Sequence, residues 1–142
     1  MDIAALVTWL VTALGGFYMM GIWISRGGLR GTGGSRLPAP VVFGHFALAA
    51  AGLVVWIVYL VADSRALAWT AFGLLVPVAL LGFVMLARWV PVYRARAVAL
   101  ASGPGAAAEP AERHIAAPVV AAHGLFAVVT VVLVLLGALG VG

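Results

Sequence analysis

Ala39-Pro40-Val41-Val42-Phe43-Gly44-His45 and Ala117-Pro118-Val119-Val120-Ala121-Ala122-His123 share their first four residues and a histidine five places after the proline. Proline suits the first turn of a helix, where its missing N–H has no intrahelical partner to lose, so each stretch reads as a helix start. At about 1.5 Å rise per residue, both imidazoles then lie roughly 7–8 Å inside their helices. The run beyond each histidine decides the fold. No charged residue occurs after His45 until Asp63, and none at all occurs after His123. Runs of that kind match the roughly 20 apolar residues that cross a bilayer.

Two further runs resemble them, so the expected spans are about 3–24, 40–62, 67–90 and 118–139. Composition agrees: the 142 residues are 65% hydrophobic and 8% charged, with a mean hydropathy of +1.22. A soluble domain carries roughly 25% charged residues, so this chain is an integral membrane protein. Runs such as Val128-Val129-Thr130-Val131-Val132 favour strands in water, but a lone span in lipid must satisfy its own backbone, and helix wins. The expectation is an all-α, up-down bundle of four transmembrane helices forming a single domain over 1–142. Met1-Asp2 opens without a basic region and the first run continues past Ala13-Leu14-Gly15, so it reads as a retained span and not a cleaved leader.

Charge sets the expected orientation. There are eight arginines and no lysine, and seven of the eight fall in or beside the first and third connections, with only Arg65 opposite. The positive-inside rule puts those connections in the cytoplasm and both termini outside. The third connection, 91–117, holds a low-complexity middle and is expected to be a flexible cytoplasmic loop. A basic pI near 10.8 does not point to nucleic acid, because these arginines flank spans and form no patch with interleaved aromatics. Trp23, Trp89, Tyr93, Tyr59 and Trp69 sit where interfacial aromatics belong; Trp9 and Trp56 lie deeper and call for a packing or ligand explanation. Pro77 is expected to kink the third span. Gly15, Gly16, Gly21, Gly44, Gly52, Gly73 and Gly82 read as close-packing positions. The Ala/Val/Gly/Arg bias without lysine suggests a genome rich in G and C, hence a bacterial plasma membrane.

The histidines carry the only chemistry the chain advertises. With no cysteine, thiolate sites and covalent haem attachment are excluded. Spans two and four run in the same direction, so His45 and His123 are expected at one level, diagonally across the bundle. A planar cofactor between them takes one neutral imidazole from each side. Ala49 and Gly52 follow His45 on its face, and Ala127 and Thr130 follow His123; small residues there leave room for a macrocycle. Arg26, Arg88 or Arg94 are candidates to pair with haem carboxylates. Thr130 has a simpler use in bonding its own helix backbone. His114 reads as a solvated loop residue.

Two histidines on alternate helices of a small four-helix bundle resemble the b-type cytochrome membrane subunits, and most nearly half of a cytochrome b561-type core. That resemblance implies one haem b near the cytoplasmic face, with its iron held by His45 and His123. It also implies a part in electron transfer or redox sensing, with a quinone or a redox partner subunit. The chain departs from the family in supplying only one histidine pair, and one haem near one face does not carry an electron across about 30 Å of hydrocarbon. Other readings stay open: a proton relay or another metal, simple hydrogen bonds to carbonyls or water, and a non-catalytic accessory or scaffold subunit without cofactor, in a homo- or hetero-oligomer. A transporter has less support, since the repeat is parallel, and nothing resembles a stand-alone enzyme site.

Overall fold

The computed structural model describes residues 1–30, 34–102 and 110–141, with side chains for all of these except 96–102. It contains four long helices: α1 (Asp2–Ser25), α2 (Ala39–Ala62), α3 (Arg65–Ser102) and α4 (Ala117–Leu139), with a short 3-10 helix at Ala111–His114. All four long helices have the length and apolarity to cross a membrane, and no strand occurs among the described residues. The protein is an all-helical, multi-pass membrane bundle. α2 packs chiefly on α3 and α1 on α4; α3 meets α4 less extensively, and α1 meets α2 least. The bundle is thus two tight helix pairs laid side by side, with α2 and α4 on one diagonal.

Each helix ends for a local reason. α1 stops at Gly27, whose φ of +88° is left-handed, while Arg26 N–H bonds Ile22 O and Gly28 N–H bonds Trp23 O, satisfying carbonyls left over at a helix end. Gly28 lies flat against the Trp23 indole, so no larger residue fits there. α2 ends at Asp63, left-handed at φ +49°, and two residues later α3 begins. α4 ends at Gly140, φ +75°, and its last carbonyls gain a cationic cap: Arg65 donates Nε to Ala138 O at 3.2 Å and Nη2 to Leu139 O at 2.7 Å. A guanidinium at the negative end of a helix dipole is favourable. That cap is the use of the one arginine on this side.

α3 differs from the expected third span. It does not end near Val90 but runs unbroken through Pro77 and Pro91. Pro91 removes one hydrogen bond, from its own nitrogen to Ala87 O, at an exposed place where the loss is small. The Trp89 and Tyr93 rings, one turn apart on the other face of the helix, stack at 4.9 Å. The expected loop therefore starts later than 91, its low-complexity centre (103–109) lies outside the described residues, and its far end is the 3-10 helix.

Two clusters fill the interior. At the end holding the chain termini, Ala5, Trp9, Trp56, Tyr59, Ala68, Ala71, Leu75, Val134 and Ala138 pack together. Trp56 Nε1 donates to Asp2 O at 3.3 Å and Tyr59 Oη to Asp2 Oδ2 at 3.1 Å. At the arginine-rich end, Trp23, Leu37, Val42 and Ala111 form a smaller cluster. Glu112 joins it with no exposed surface. Its Oε1 accepts Arg36 N–H at 2.6 Å and its Oε2 accepts Ser35 Oγ–H at 2.7 Å. Ser35 Oγ in turn accepts Trp23 Nε1–H at 2.8 Å and Leu37 N–H at 2.9 Å, so one donor and two acceptor positions of the hydroxyl are all used. With Ala111 N–H on Gly34 O at 2.9 Å, this clasp ties the third connection to the first.

Removing the carboxylate strands buried donors. Glu112→Ala is expected to lower stability by about 1–3 kcal/mol, read as a fall in the denaturation midpoint in detergent, with Glu112→Gln losing less. A Cβ at Gly52 meets the Trp9 ring at 3.0 and 3.1 Å, whereas one at Gly73 meets nothing. Gly52→Ala is therefore expected to cost about 1–3 kcal/mol from overpacking, and Gly73→Ala to leave the midpoint unchanged or raised.

Candidate functional site

Between the two clusters, on every helix, lies the level of the histidines. His123 on α4 leans on α1: its Nδ1 bonds Thr12 O at 3.0 Å, and its Cε1 lies 3.3 Å from where a Cβ on Gly16 would stand. His45 on α2 leans on α3 in the same way. Its Nδ1 bonds Val78 O at 2.9 Å, and its Cε1 lies 3.4 Å from a Cβ position on Gly82. In both helix pairs the carbonyl and the glycine are four residues apart. That spacing comes from helix geometry: the carbonyl of residue i points along the axis towards residue i+4. A ring lying on that carbonyl also covers residue i+4, where a Cβ would meet it tightly at Gly16 and in ordinary contact at Gly82.

The hydrogen bonds also fix the protonation pattern. A carbonyl only accepts, so each Nδ1 carries a proton, and in the neutral ring each Nε2 keeps its lone pair. Neither Nε2 has a hydrogen-bond partner among the described residues, and no fully buried side-chain nitrogen or oxygen there lacks one. Both Nε2 atoms therefore reach accessible surface. The two rings stand 6.4 Å apart between centroids, tilted by 52°, and meet across the seam between the helix pairs. Beside them, Phe17 of α1 and Phe46 of α2 touch edge to face at 5.0 Å.

The other expected site residues have varied settings. Ala49 and Ala127 are half-buried, one turn along from their histidines. The room expected at Gly52 is taken by Trp9, which gives that deep tryptophan its packing role. Thr130 is buried and donates to Phe126 O at 2.8 Å, on its own helix. Arg26 is exposed at the C-cap of α1. Arg88 is exposed on α3 and gives Nη1 to Arg36 O at 3.2 Å; neither arginine contacts an imidazole. Arg94 and His114 are exposed. Among the described residues no group of three or more His, Cys, Asp or Glu side chains gathers as a metal site.

Sequence reasoning paired the histidines but missed what orients them. Gly16 and Gly82 were visible as close-packing residues, yet nothing in the one-dimensional pattern says which ring covers which glycine, or that the backbone of Thr12 and Val78 supplies the partner. No family model matches the chain, and neither a curated protein nor a solved structure matches it.

The geometry specifies a tautomer that can be observed. In the protein labelled with ¹⁵N-histidine and prepared without added metal or haem, His45 and His123 are expected to show Nδ1–H and a bare Nε2. An Nε2–H signal from either ring contradicts the arrangement.

Proposed function

We propose that this chain is a membrane-bound haem b protein in which His45 and His123 are the two axial ligands of one haem. The observation that carries the reading is the pair of imidazoles 6.4 Å apart, each tied to a backbone carbonyl through Nδ1 and each left with a free Nε2. Metal-binding histidines commonly donate their other ring nitrogen to a carbonyl, which orients the ring and raises its basicity. Two imidazole nitrogens on opposite sides of one metal, each at about 2.0–2.1 Å, place the ring centroids roughly 6 Å apart. The separation fits.

The number of ligands favours haem over a bare ion. Structural zinc takes four protein ligands and catalytic zinc three, whereas a macrocycle fills the equatorial positions itself and asks the protein for the axial ones. Bound there, haem supplies one-electron iron chemistry. The chain's own residues do the rest: Thr12 O and Val78 O hold the imidazoles and their protons, and Gly16 and Gly82 admit the rings. Seven of eight arginines at this end favour placing it in the cytoplasm, in a bacterial plasma membrane. A single haem at one level does not span the hydrocarbon, so the function that fits is electron exchange with a quinone or partner subunit at one face, or redox sensing.

One observation favours a second reading, an accessory subunit without cofactor. The Nδ1 bonds already join α4 to α1 and α2 to α3, and interhelical hydrogen bonds of this kind contribute about 0.6 kcal/mol each in membranes. Absorption spectra of the detergent-purified protein, expressed with ample haem, separate the two. The haem reading expects a Soret band and sharp α and β bands after dithionite reduction, lost in both His45→Ala and His123→Ala. The accessory reading expects a flat visible spectrum and modest stability losses in the same variants.

A further inference from the structure

A cleft of about 480 Å³ opens at the arginine-rich end, away from the histidines. It is lined by Ser35, Arg36 and Pro38 from the first connection and by Ala87, Arg88 and Pro91 from α3. Its polar chemistry is mostly that of a donor. Arg36 and Arg88 are both exposed, and neither guanidinium pairs with a carboxylate among the described residues. Arg88 commits Nη1 to Arg36 O at 3.2 Å, which steadies the side chain and leaves Nη2 and Nε to another acceptor. Glu112 is close in the same network but already engaged: it is fully buried, with its oxygens on Arg36 N–H and Ser35 Oγ–H.

Ala87, also in the lining, brings a candidate acceptor. Pro91 has no N–H to give Ala87 O, so that carbonyl lacks the donor four residues on that a regular helix supplies. A ligand suited to this lining therefore combines an anion for two guanidinium groups with a hydroxyl or amine for one carbonyl.

Position narrows the choice further. The stacked Trp89–Tyr93 pair lies on α3 at the level of the cleft, and such aromatics occupy the headgroup layer of a bilayer. Towards the middle of the spans, α2 and α3 continue with exposed apolar side chains, among them Phe43, Leu80 and Val84. Phosphate suits paired arginines because guanidinium donors match its oxygens in bidentate fashion, and basic pockets between membrane helices bind anionic headgroups. We propose that this cleft binds the phosphate of an anionic phospholipid headgroup. Arg36 and Arg88 hold the phosphate, Ala87 O takes a headgroup hydroxyl, and the acyl chains lie along α2 and α3. The site is independent of any haem.

The test uses the full chain in a phosphate-free detergent and follows its thermal midpoint with added phosphatidylglycerol, phosphatidylcholine or inorganic phosphate. Phosphatidylglycerol is expected to raise the midpoint, with half-saturation at a concentration at least tenfold lower than phosphatidylcholine. The double variant R36Q/R88Q, altered only at exposed positions, is expected to fold normally and lose that preference, while Arg30→Gln keeps it. A phosphatidylglycerol preference that survives in R36Q/R88Q overturns the site, as does an equal response to both lipids. An equal stabilisation by inorganic phosphate, lost in the double variant, overturns the lipid assignment in favour of a soluble phosphate.

Discussion

A backbone carbonyl inside a helix already accepts one amide, but it has a second lone pair, and Thr12 and Val78 each lend theirs to a histidine of the neighbouring helix. Much depends on that shared acceptor. The imidazole lies along the neighbour's axis and over the position four residues on, where a small residue eases the approach, and Gly16 and Gly82 are in place. The helices must approach closely, which binds α4 to α1 and α2 to α3 more tightly than the pairs bind each other. The proton must sit on Nδ1, and each ring is left with a basic nitrogen at the seam between the pairs. In lipid, where helix association gains nothing from burying apolar surface, such contacts and the fit of small residues decide which faces meet.

Charged side chains are concentrated at the ends of the spans, for a related reason. The spans close their own hydrogen bonds, and only their termini have groups left over. Arg65 caps the carbonyls at the end of α4, and Asp2 gathers Trp56 and Tyr59 where α1 begins. Glu112 satisfies the turn that leads into α2. Each acts between segments distant in sequence, so the ends lock the bundle together while the middle stays apolar. Arg88 also joins distant segments, through Arg36 O, but part of its guanidinium and that of Arg36 remain open at the surface.

The helices and their approximate bounds were legible in the sequence, since hydropathy over 142 residues leaves little else for the chain to do. Pro40 and Pro118 marked two helix starts that the structure places within a residue. Pro91 misled, because a proline near a membrane surface removes a bond that solvent and headgroups replace, and α3 ran on. The level shared by His45 and His123 was legible from matched spacing; their separation and carbonyl partners were not, because these depend on how α1 and α3 rotate about their axes. Gly52 shows the same limit. Its small size marked a close approach, but not whether a cofactor or Trp9 makes it. Glu112 left no periodic signal at all, since its partners, the Arg36 amide and the Ser35 hydroxyl, lie more than seventy residues away in the chain.

Electron paramagnetic resonance of the oxidised protein, purified with haem, tests the central claim most directly, because the spin state of ferric iron reports both axial positions at once. Ligation by His45 and His123 together predicts a low-spin signal in the native chain. His45→Gly and His123→Gly should each turn it high-spin, and added imidazole should restore the low-spin form. A high-spin signal in the native chain, or a low-spin signal that survives loss of either histidine, would contradict that ligation.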